Sequence, residues 1–448
     1  MINYKHTLCT LLVAAVCVST GAQTNGSNSP YSRFGLGVLN DQSQSANRAM
    51  GGLAYGLRTG NRLNMLNPAS YSAIDSLSFL FDVGMSMQHG NMKGGGTNIH
   101  VNNTTLDFVN AGFRIRKGLG MSLGFVPYST IGYNFSQTNN IGPDFTTGTM
   151  ITSNSLYSGE GGLHQMYIGI GWNPFGTLSV GANMSYMWGN YNHTLSQQFL
   201  EGGAVSSLYN GLNAHYKASL KTYKVDLGAQ YSIPVGSNDE LTIGAVVSLG
   251  HTINSTARLY HFTSNGDSIV RSVPKAFELP YSFGGGLAWR HKRQWTAGID
   301  VNQEQWSQCR MPMIASSSSS ETGVSAGAVS YESHKGAYLN RTRITAGAEY
   351  VPDIMSRHYL RRIHYRMGAT FSTPYVKVDG EDGPRTYSVS AGVGLPITNN
   401  RNNRSMINVS FQWLKVAPSQ TSMISENYFK INLGITFNER WFMKWKIN

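Results

Sequence analysis

Side chains of opposite polarity alternate along one segment after another of this chain, and this period of two restricts its fold more than any other feature. In "YFKINLGITF", Tyr428 to Phe437, every second residue is apolar and almost all of the others are polar or small. The pattern recurs in "KTYKVDLGAQYSI", "LPYSFGGGLAW", "YSVSAGVGL" and "INVSFQW", whereas helical spacing is nearly absent. Because successive side chains of a strand point to opposite faces, the sequence predicts an all-β protein whose strands have one apolar face.

The alternation defines fourteen candidate strands. They lie near residues 76–88, 104–116, 119–135, 163–172, 177–196, 211–233, 240–262, 268–290, 294–308, 338–351, 358–372, 385–395, 405–416 and 427–437. An even number of such strands is typical of closed barrels in bacterial outer membranes. Closure is needed because the backbone groups of an open sheet edge would stay unpaired in lipid. We therefore predict a transmembrane antiparallel β-barrel in the outer membrane of a Gram-negative cell.

The lengths of the predicted connections agree with a barrel. Four connections that would face the periplasm are short: 116–119, 173–176, 234–239 and 291–293. Two connections that would face outward, 136–162 and 309–337, are the longest in the chain. Short periplasmic turns with longer outer loops are typical of outer-membrane barrels.

The N-terminus has the features of a secretory signal peptide. Lys5 supplies the positive charge, residues 8–18 the apolar core, and "STGA" a cleavage site after Ala22. The apolar core is too short for a membrane-spanning helix, which disfavours an uncleaved anchor. A fourteen-stranded barrel is too wide to be filled by its own side chains, so the irregular segment before the first strand is predicted to fill the lumen. We divide the chain into a signal peptide at 1–22, a hatch (plug) at 23–75 and the barrel at 76–448.

Composition argues against several classes of protein. Cys9 and Cys17 lie in the predicted signal peptide, so the mature chain keeps only Cys309 and has neither an internal disulfide nor a Cys/His zinc site. We predict no metal and no cofactor. Removing Lys5 lowers the formal charge from +12 to +11. The cations are scattered along the inward turns and are not interleaved with stacking aromatic residues, so we expect no nucleic-acid partner.

No sequence feature favours an enzyme. The chain has no His-Glu-x-x-His motif, and its glycine triplets at 94–96 and 284–286 do not lead into a helix that begins with Lys-Ser/Thr. The densest basic run is "RHYLRRIHYR", Arg357 to Arg366. Two interpretations of this run stay open: contact with an anion or a lipid headgroup, or a solvated turn.

Three stretches resemble the FadL family of outer-membrane transporters for long-chain fatty acids and other hydrophobic compounds. "RITAGAEY", residues 343–350, is similar to a barrel strand of the family, and "NRAMGGLAYG…NMLNPASYS" is similar to its hatch, with Asn67-Pro68-Ala69 just before the first strand. The third stretch is "LPYSFGGGLAWRHKRQWTAGIDVNQEQWS", residues 279–307. It carries the family pattern at Pro280, Gly284, Trp289, Trp295, Asp300 and Trp306.

The resemblance implies a fourteen-stranded barrel whose hatch blocks the lumen. It also implies passive uptake of hydrophobic small molecules such as long-chain fatty acids, with Asn67, Pro68 and Ala69 at the gate of the channel. An alternative from the same resemblance is a structural or docking component of an outer-membrane protein secretion system. As partners we expect a hydrophobic ligand or lipid, the outer-membrane lipids and the barrel-assembly machinery. The last of these reads C-termini like the aromatic, basic "NERWFMKWKIN" of this chain.

The hatch departs from the family at three positions, one of which is Ser70 in place of a common glycine. Arg58 and Arg62 stand where acidic residues are common in the family. Two basic residues would either attract the carboxylate headgroup of a ligand or tie the hatch to acids of the barrel wall, such as Asp226 or Glu349. We favour the second interpretation.

Overall fold

The computed structural model describes residues 27–144, 148–206, 210–263, 266, 268–315, 330–378, 380–397, 405–421 and 423–440, and the predicted signal peptide lies outside them. Its main element is one antiparallel sheet. The first seven strands are β1 (Ser78–Gly94), β2 (Thr97–Arg116), β3 (Leu119–Pro143), β4 (Met150–Trp172), β5 (Leu178–Glu201), β6 (Leu212–Val235) and β7 (Asp239–Ser248, His251–Ile253 and Ala257–Thr263). The others are β8 (Ser268–Val273, Phe277–Leu279 and Ser282–His291), β9 (Trp295–Glu304), β10 (Arg341–Tyr350), β11 (His364–Ser372), β12 (Arg385–Pro396), β13 (Met406–Ala417) and β14 (Ser425–Arg440).

The sheet closes on itself. β1 pairs with β14 from Ser78 opposite Arg440 to Lys93 opposite Ser425, and every other strand pairs with its neighbours in the sequence. Closure gives the first and the last strand a partner, so neither presents an unpaired sheet edge to lipid. The predicted fold, a closed antiparallel barrel of fourteen strands, is confirmed.

The wall separates an apolar outer face from a polar inner face. In β4, Met166, Ile168 and Ile170 are 46–56% exposed, whereas Gln165 and Tyr167 are at most 2% exposed. A belt of exposed apolar side chains around a closed barrel is the surface that lipid covers, and this architecture belongs to the outer membrane.

Among the described residues, no helix is long and apolar enough to cross a membrane.

Two predicted strands are interrupted. The middle segments of β7 and β8 leave the wall and pair only with each other, His251–Ile253 with Phe277–Leu279. Pro274 and Pro280, which cannot donate a backbone hydrogen bond to a ladder, flank the middle segment of β8. Ile253 and Phe277 are fully buried, so the hairpin folds inward at this level.

The predicted outer loop at 136–162 is wrong. β3 continues to Pro143 and β4 begins at Met150. These strands have 25 and 23 residues, whereas about 10 residues suffice to span the membrane. Their outer parts have few apolar residues on either face, so the alternation that marks a lipid-facing strand is missing there. In the predicted loop at 309–337, Met311–Ala315 pairs with Ser330–His334.

Residues 27–75, which we call the hatch, lie inside the barrel. Hydrogen bonds join them to β1, β5, β6, β9 and β12, which are spread around the circumference. The hatch contains a two-residue strand, Val38–Leu39, a single α-helical turn, Ser45–Arg48, and 3-10 turns at Pro30–Arg33 and Pro68–Ala73. The predicted divisions of the chain after residues 22 and 75 remain predictions.

The main chain of the hatch packs directly on glycines of the wall. A Cβ atom at Gly181 would overlap the main chain at Pro68, and a Cβ atom at Gly244 would overlap the carbonyl group of Tyr55. Glycine is required at both positions because another main chain approaches so closely. These contacts account for part of the high glycine content, 50 residues in the chain.

We expect Gly244→Ala to push the hatch away from β7. Overpacking of this kind costs about 1–3 kcal/mol of the free energy of unfolding. Denaturant titration of the barrel in detergent, followed by its heat-modifiable gel mobility, measures the loss. Gly285→Ala is the matched control, since the heavy atom nearest to its Cβ lies 4.0 Å away. An equal loss of unfolding free energy in both variants would contradict a close contact of the hatch with Gly244.

Candidate functional site

The Asn67-Pro68-Ala69 turn joins the hatch to β6. The side-chain oxygen of Asn67 accepts the N–H of Ala69 at 3.2 Å and so caps the 3-10 turn that follows. Its amide nitrogen donates to the carbonyl oxygens of Tyr55 at 2.8 Å and of Ala229, in β6, at 3.3 Å. Ala69 is fully buried. The turn therefore fixes two hatch segments and the wall with one side chain.

Asp300 of β9 binds the hatch main chain. One carboxylate oxygen accepts the N–H groups of Ala54 at 2.6 Å and Tyr55 at 2.9 Å. The ring of Tyr55 packs against the neighbouring Gly284, where a Cβ atom would lie only 2.7 Å from the ring. Two family-motif positions, Asp300 and Gly284, thus meet at the hatch.

The other motif positions occupy different surroundings. Trp289 and Trp295 are 43% exposed on the lipid side, where Trp289 donates to Asp239 at 3.0 Å and Trp295 packs on the ring of Tyr350. Pro280 is buried beside a cavity of the lumen. Trp306 is fully buried at the outer end. The motif is not one site, since its positions are divided between the hatch contact, the lipid-facing side and the outer end.

Arg62 enters a buried cluster of charged side chains. Its guanidinium lies 2.7 Å from the carboxylate of Glu349 in β10, and Arg366 of β11 lies 2.5 Å from the same carboxylate. The ring of His364 is 3.3 Å from Glu349. All four side chains are at most 12% exposed. This places Arg366, part of the predicted basic turn, inside the lumen and not in solvent.

Arg58 stays within the hatch. Its guanidinium donates to the hydroxyl of Ser72 at 2.9 Å and to the carbonyl of Ala69 at 3.4 Å. Asp226, the other wall acid considered for these arginines, pairs instead with Lys224 at 2.5 Å. Arg58 therefore braces the Asn67-Pro68-Ala69 turn from the side of the hatch.

Two further ion pairs of the hatch were not predicted from the sequence. Arg48 lies 2.7 Å from Asp107, the residue at which a β-bulge shifts the register of β2 against β1. Asp41 lies 3.7 Å from Arg343 of β10. Burial alone would raise the pKa of Asp41, but the guanidinium groups of Arg343 and Arg48 lower it to about 2. A depressed pKa stabilises the folded state above the pKa of the unfolded chain, and this contribution is lost only as the pH falls towards 2.

The wall has an open seam where two neighbouring strands, β2 and β3, separate. Below Val109 and Phe125, β2 pairs with β3. Above that level residues 97–108 pair only with β1, and residues 127–143 pair with β4 and not with β2. The seam therefore lies between β2 and β3 in the outer half of the barrel.

The first part of the hatch covers the seam from inside. Val38 lies opposite Thr130 of β3 in antiparallel register. The hydroxyl of Ser32 donates to the carbonyl of Gly132 and accepts its N–H. Hydrogen bonds hold this segment against the seam. Residues 27–40 form no ion pair with β2 or β3 among the described residues.

The outer half of the lumen is filled by an apolar cluster. Trp306, Phe277 and Ile253 are fully buried in it, together with Leu36 of the hatch and Tyr375. The inward fold of β7 and β8 supplies much of the cluster. In the part of the chain that the structure describes, the lumen is thus closed by this cluster above and by the hatch below.

Two cavities flank hatch residues 37–41. Charged side chains line the first, between the hatch and β6 to β10: Lys224, Asp226, Asp300, Glu304, Arg341 and Arg343. The second, towards β11 to β14, mixes Tyr31 and Leu414 with Glu426 and Lys430. Arg341 and Arg343 line both cavities. The described residues contain no group of three or more His, Cys, Asp or Glu side chains arranged to hold a metal ion.

One hydrolase-like pattern is structural. Gly120 to Gly124 reads Gly-Met-Ser-Leu-Gly, which fits the Gly-x-Ser-x-Gly pattern. A nucleophile elbow needs a strand-to-helix turn, but Ser122 lies within β3. Its hydroxyl contacts the Tyr167 hydroxyl at 2.9 Å and donates to the carbonyl of Ala111. The serine therefore belongs to the wall.

A family model described as BamG matches residues 1–448. Comparison with curated proteins gives no match. Solved structures with a similar fold include the toluene transporter TbuX of Ralstonia pickettii, which is 16% identical with a TM-score of 0.57 over 89% of this chain and 98% of that chain. The toluene transporter TodX of Pseudomonas putida is 15% identical with a TM-score of 0.55, over 90% and 100% of the two chains. A Pseudomonas aeruginosa FadL homologue is 11% identical with a TM-score of 0.57, over 88% and 98%. The likeness confirms a FadL-like barrel as the fold.

We expect Glu349→Gln to loosen the hatch. The variant leaves two buried guanidinium groups without their counter-charge, which costs about 3 kcal/mol of unfolding free energy. Denaturant titration measures this loss, and planar-bilayer recordings report any rise in ion conductance through the lumen.

Glu240→Gln is the matched control for this variant. Glu240 pairs with Arg290 at the rim, where the side chains are 29% and 40% exposed. Loss of an exposed pair costs at most about 1 kcal/mol. Equal losses of unfolding free energy in the two variants would show that the buried cluster does not hold the hatch.

Proposed function

This chain belongs to the BamG family, and we propose that its barrel takes up hydrophobic small molecules, such as long-chain fatty acids, by passive diffusion. The seam between β2 and β3, covered from inside by the hatch, is the observation that carries the proposal. The similar barrels TbuX and TodX are described as toluene transporters, which supports the same class of ligand. No energy source is needed if the ligand moves down its gradient.

The route follows from how unevenly the hatch is held. Residues 44–75 are tied to the wall by Asp300, Glu349 and the Asn67 turn. Residues 27–40 make no ion pair with the wall among the described residues and are held by hydrogen bonds, such as those of Ser32 with Gly132 and of Ser29 with the Glu426 carboxylate. Displacing the first part of the hatch is therefore the least costly way to open the seam, while the Asn67-Pro68-Ala69 turn keeps the rest of the lumen closed.

The lumen favours a ligand with a polar end. Arg341 and Arg343 line both cavities beside the seam segment, at 3.5 Å from Glu304 and 3.7 Å from Asp41, so a carboxylate headgroup would compete with these two acids for them. Arg62 and Arg58 are engaged by Glu349 and by the hatch itself. An amphiphile suits this lumen better than a pure hydrocarbon, because an apolar ligand would leave the charged side chains of the wall without a polar partner.

A second candidate function is a structural or docking component for secreted or assembled proteins. The apolar cluster that closes the outer half of the lumen favours it, because a dry, packed core is poorly suited to conduction. The long outer parts of β3 to β6 also rise well above the membrane and offer a wide surface to a partner.

A reversible disulfide between the hatch and β3, which we call the lock, tests uptake. Val38 and Thr130 face each other in an antiparallel pair, a separation that a disulfide spans. In a Cys309→Ser background, oxidised Val38→Cys/Thr130→Cys is expected to lower uptake of labelled oleate about tenfold, and reduction is expected to restore it. The single variant Val38→Cys, oxidised in the same way, controls for the reagent.

The same cells separate the two functions. Uptake that exceeds that of cells lacking the gene and responds to the lock supports transport. Uptake equal to that of cells lacking the gene contradicts it. Stable co-purification of outer-membrane proteins with the barrel, in that second case, favours docking.

A further inference from the structure

One periplasmic turn is much longer than four of the others. The turns at 117–118, 173–177, 236–238 and 292–294 have two to five residues, whereas thirteen residues, 351–363, join β10 to β11. Hydrogen bonds give this turn a fixed shape. The N–H of Asp353 donates to the carbonyl of Arg361 at 2.9 Å, and Gln294 donates to the carbonyl of Pro352 at 2.9 Å. A 3-10 turn, Tyr359–Arg362, forms its end.

The surface of this turn combines exposed apolar and basic side chains. Met355 is 86% exposed, Leu360 70% and Ile354 48%. Beside them stand three arginines, Arg357, Arg361 and Arg362, against the single acid Asp353. Water alone is a poor environment for three apolar side chains in one short turn, so such a patch marks an interaction surface.

The turn rests on the lipid-facing side of the barrel. Tyr365 of β11 donates its hydroxyl to the carbonyl of Leu360 at 3.4 Å. Its side chain points outward, since its neighbours His364 and Arg366 are buried inside. Tyr365 lies opposite Tyr350, and Tyr350 lies opposite Trp295 with ring centroids 4.3 Å apart. Aromatic residues at one level of a barrel mark the membrane interface.

We propose that residues 352–363 form an interfacial foot that binds phospholipids of the inner leaflet. The foot places Ile354, Met355 and Leu360 among the lipid chains nearest the headgroups. Arg357, Arg361 and Arg362 pair with the phosphate groups, which guanidinium groups bind with two parallel hydrogen bonds. Apolar side chains towards the lipid chains and cations at the level of the headgroups are the arrangement by which amphipathic segments lie in the interface.

The apolar side chains and their location select this ligand. Free phosphate would account for the arginines but not for Met355 and Leu360. An acidic soluble protein would account for the charge and for some apolar contact, but not for a turn fixed by Tyr365 to the aromatic belt. The foot is independent of whether the lumen conducts a ligand.

Fluorescence quenching tests the foot in the intact barrel. Leu360→Cys in a Cys309→Ser background carries a bimane probe, and the barrel is placed in nanodiscs that contain brominated phosphatidylglycerol or brominated phosphatidylcholine. We expect both lipids to quench the probe, the anionic lipid about twofold more strongly. Aqueous iodide is expected to quench it weakly.

Variants that remove charge distinguish binding of the lipid headgroups from mere insertion of the foot into the membrane. Arg357→Gln/Arg361→Gln/Arg362→Gln is expected to abolish the preference for the anionic lipid. The matched control, Lys117→Gln/Lys292→Gln/Arg293→Gln, removes as many exposed cations from the short turns and is expected to keep it. Heat-modifiable mobility verifies that each variant is folded.

Two results would overturn the proposal. Strong quenching by iodide without quenching by brominated lipid would place the foot in water, where it would be free for a soluble protein partner. Equal quenching by the two brominated lipids in the parent barrel would show that the three arginines do not select an anionic headgroup.

Discussion

The need to pair every backbone N–H and C=O group in lipid is the constraint on which the rest of this structure depends. It forces the sheet to close, which it does where β1 meets β14. Closing fourteen strands leaves a bore too wide for wall side chains to fill. In this chain the hatch enters the lumen, and the inner face of the wall must accept it. The glycines and buried polar groups of that face follow from this requirement.

The hatch combines apolar burial, as at Met50, Leu63 and Tyr71, with contacts that fix its direction. Gly181 and Gly244 let its main chain touch the wall, while Asp300 and Glu349 bind its N–H groups and Arg62. Buried ion pairs add little net stability over apolar packing, but they penalise any other placement. Such contacts fix the position of the hatch. The neutral contacts at the seam leave one part of it easier to move.

Much of the fold could be predicted from the sequence, because lipid outside and lumen inside impose the same alternation on every strand. That alternation also shows which acids face the lumen, including Asp226 and Glu349. It does not show that Glu349 pairs with Arg62, because that depends on how an irregular segment is placed among fourteen strands. The ion pair of Arg48 with Asp107 could not be predicted, since it depends on a β-bulge in β2. The outer parts of β3 and β4 could not be predicted from the alternation because neither of their faces meets lipid.

Hydrogen exchange of the folded barrel in detergent micelles tests the central claim most directly, namely that the hatch is a fixed part of the lumen. Peptides from residues 44–75, read by mass spectrometry, are compared with peptides from the lower halves of β9 and β10. If the hatch is seated as described, its amides exchange nearly as slowly as those of the strands, because few of them reach water. Exchange of the hatch within seconds, at the rate of an unstructured chain, would contradict the account.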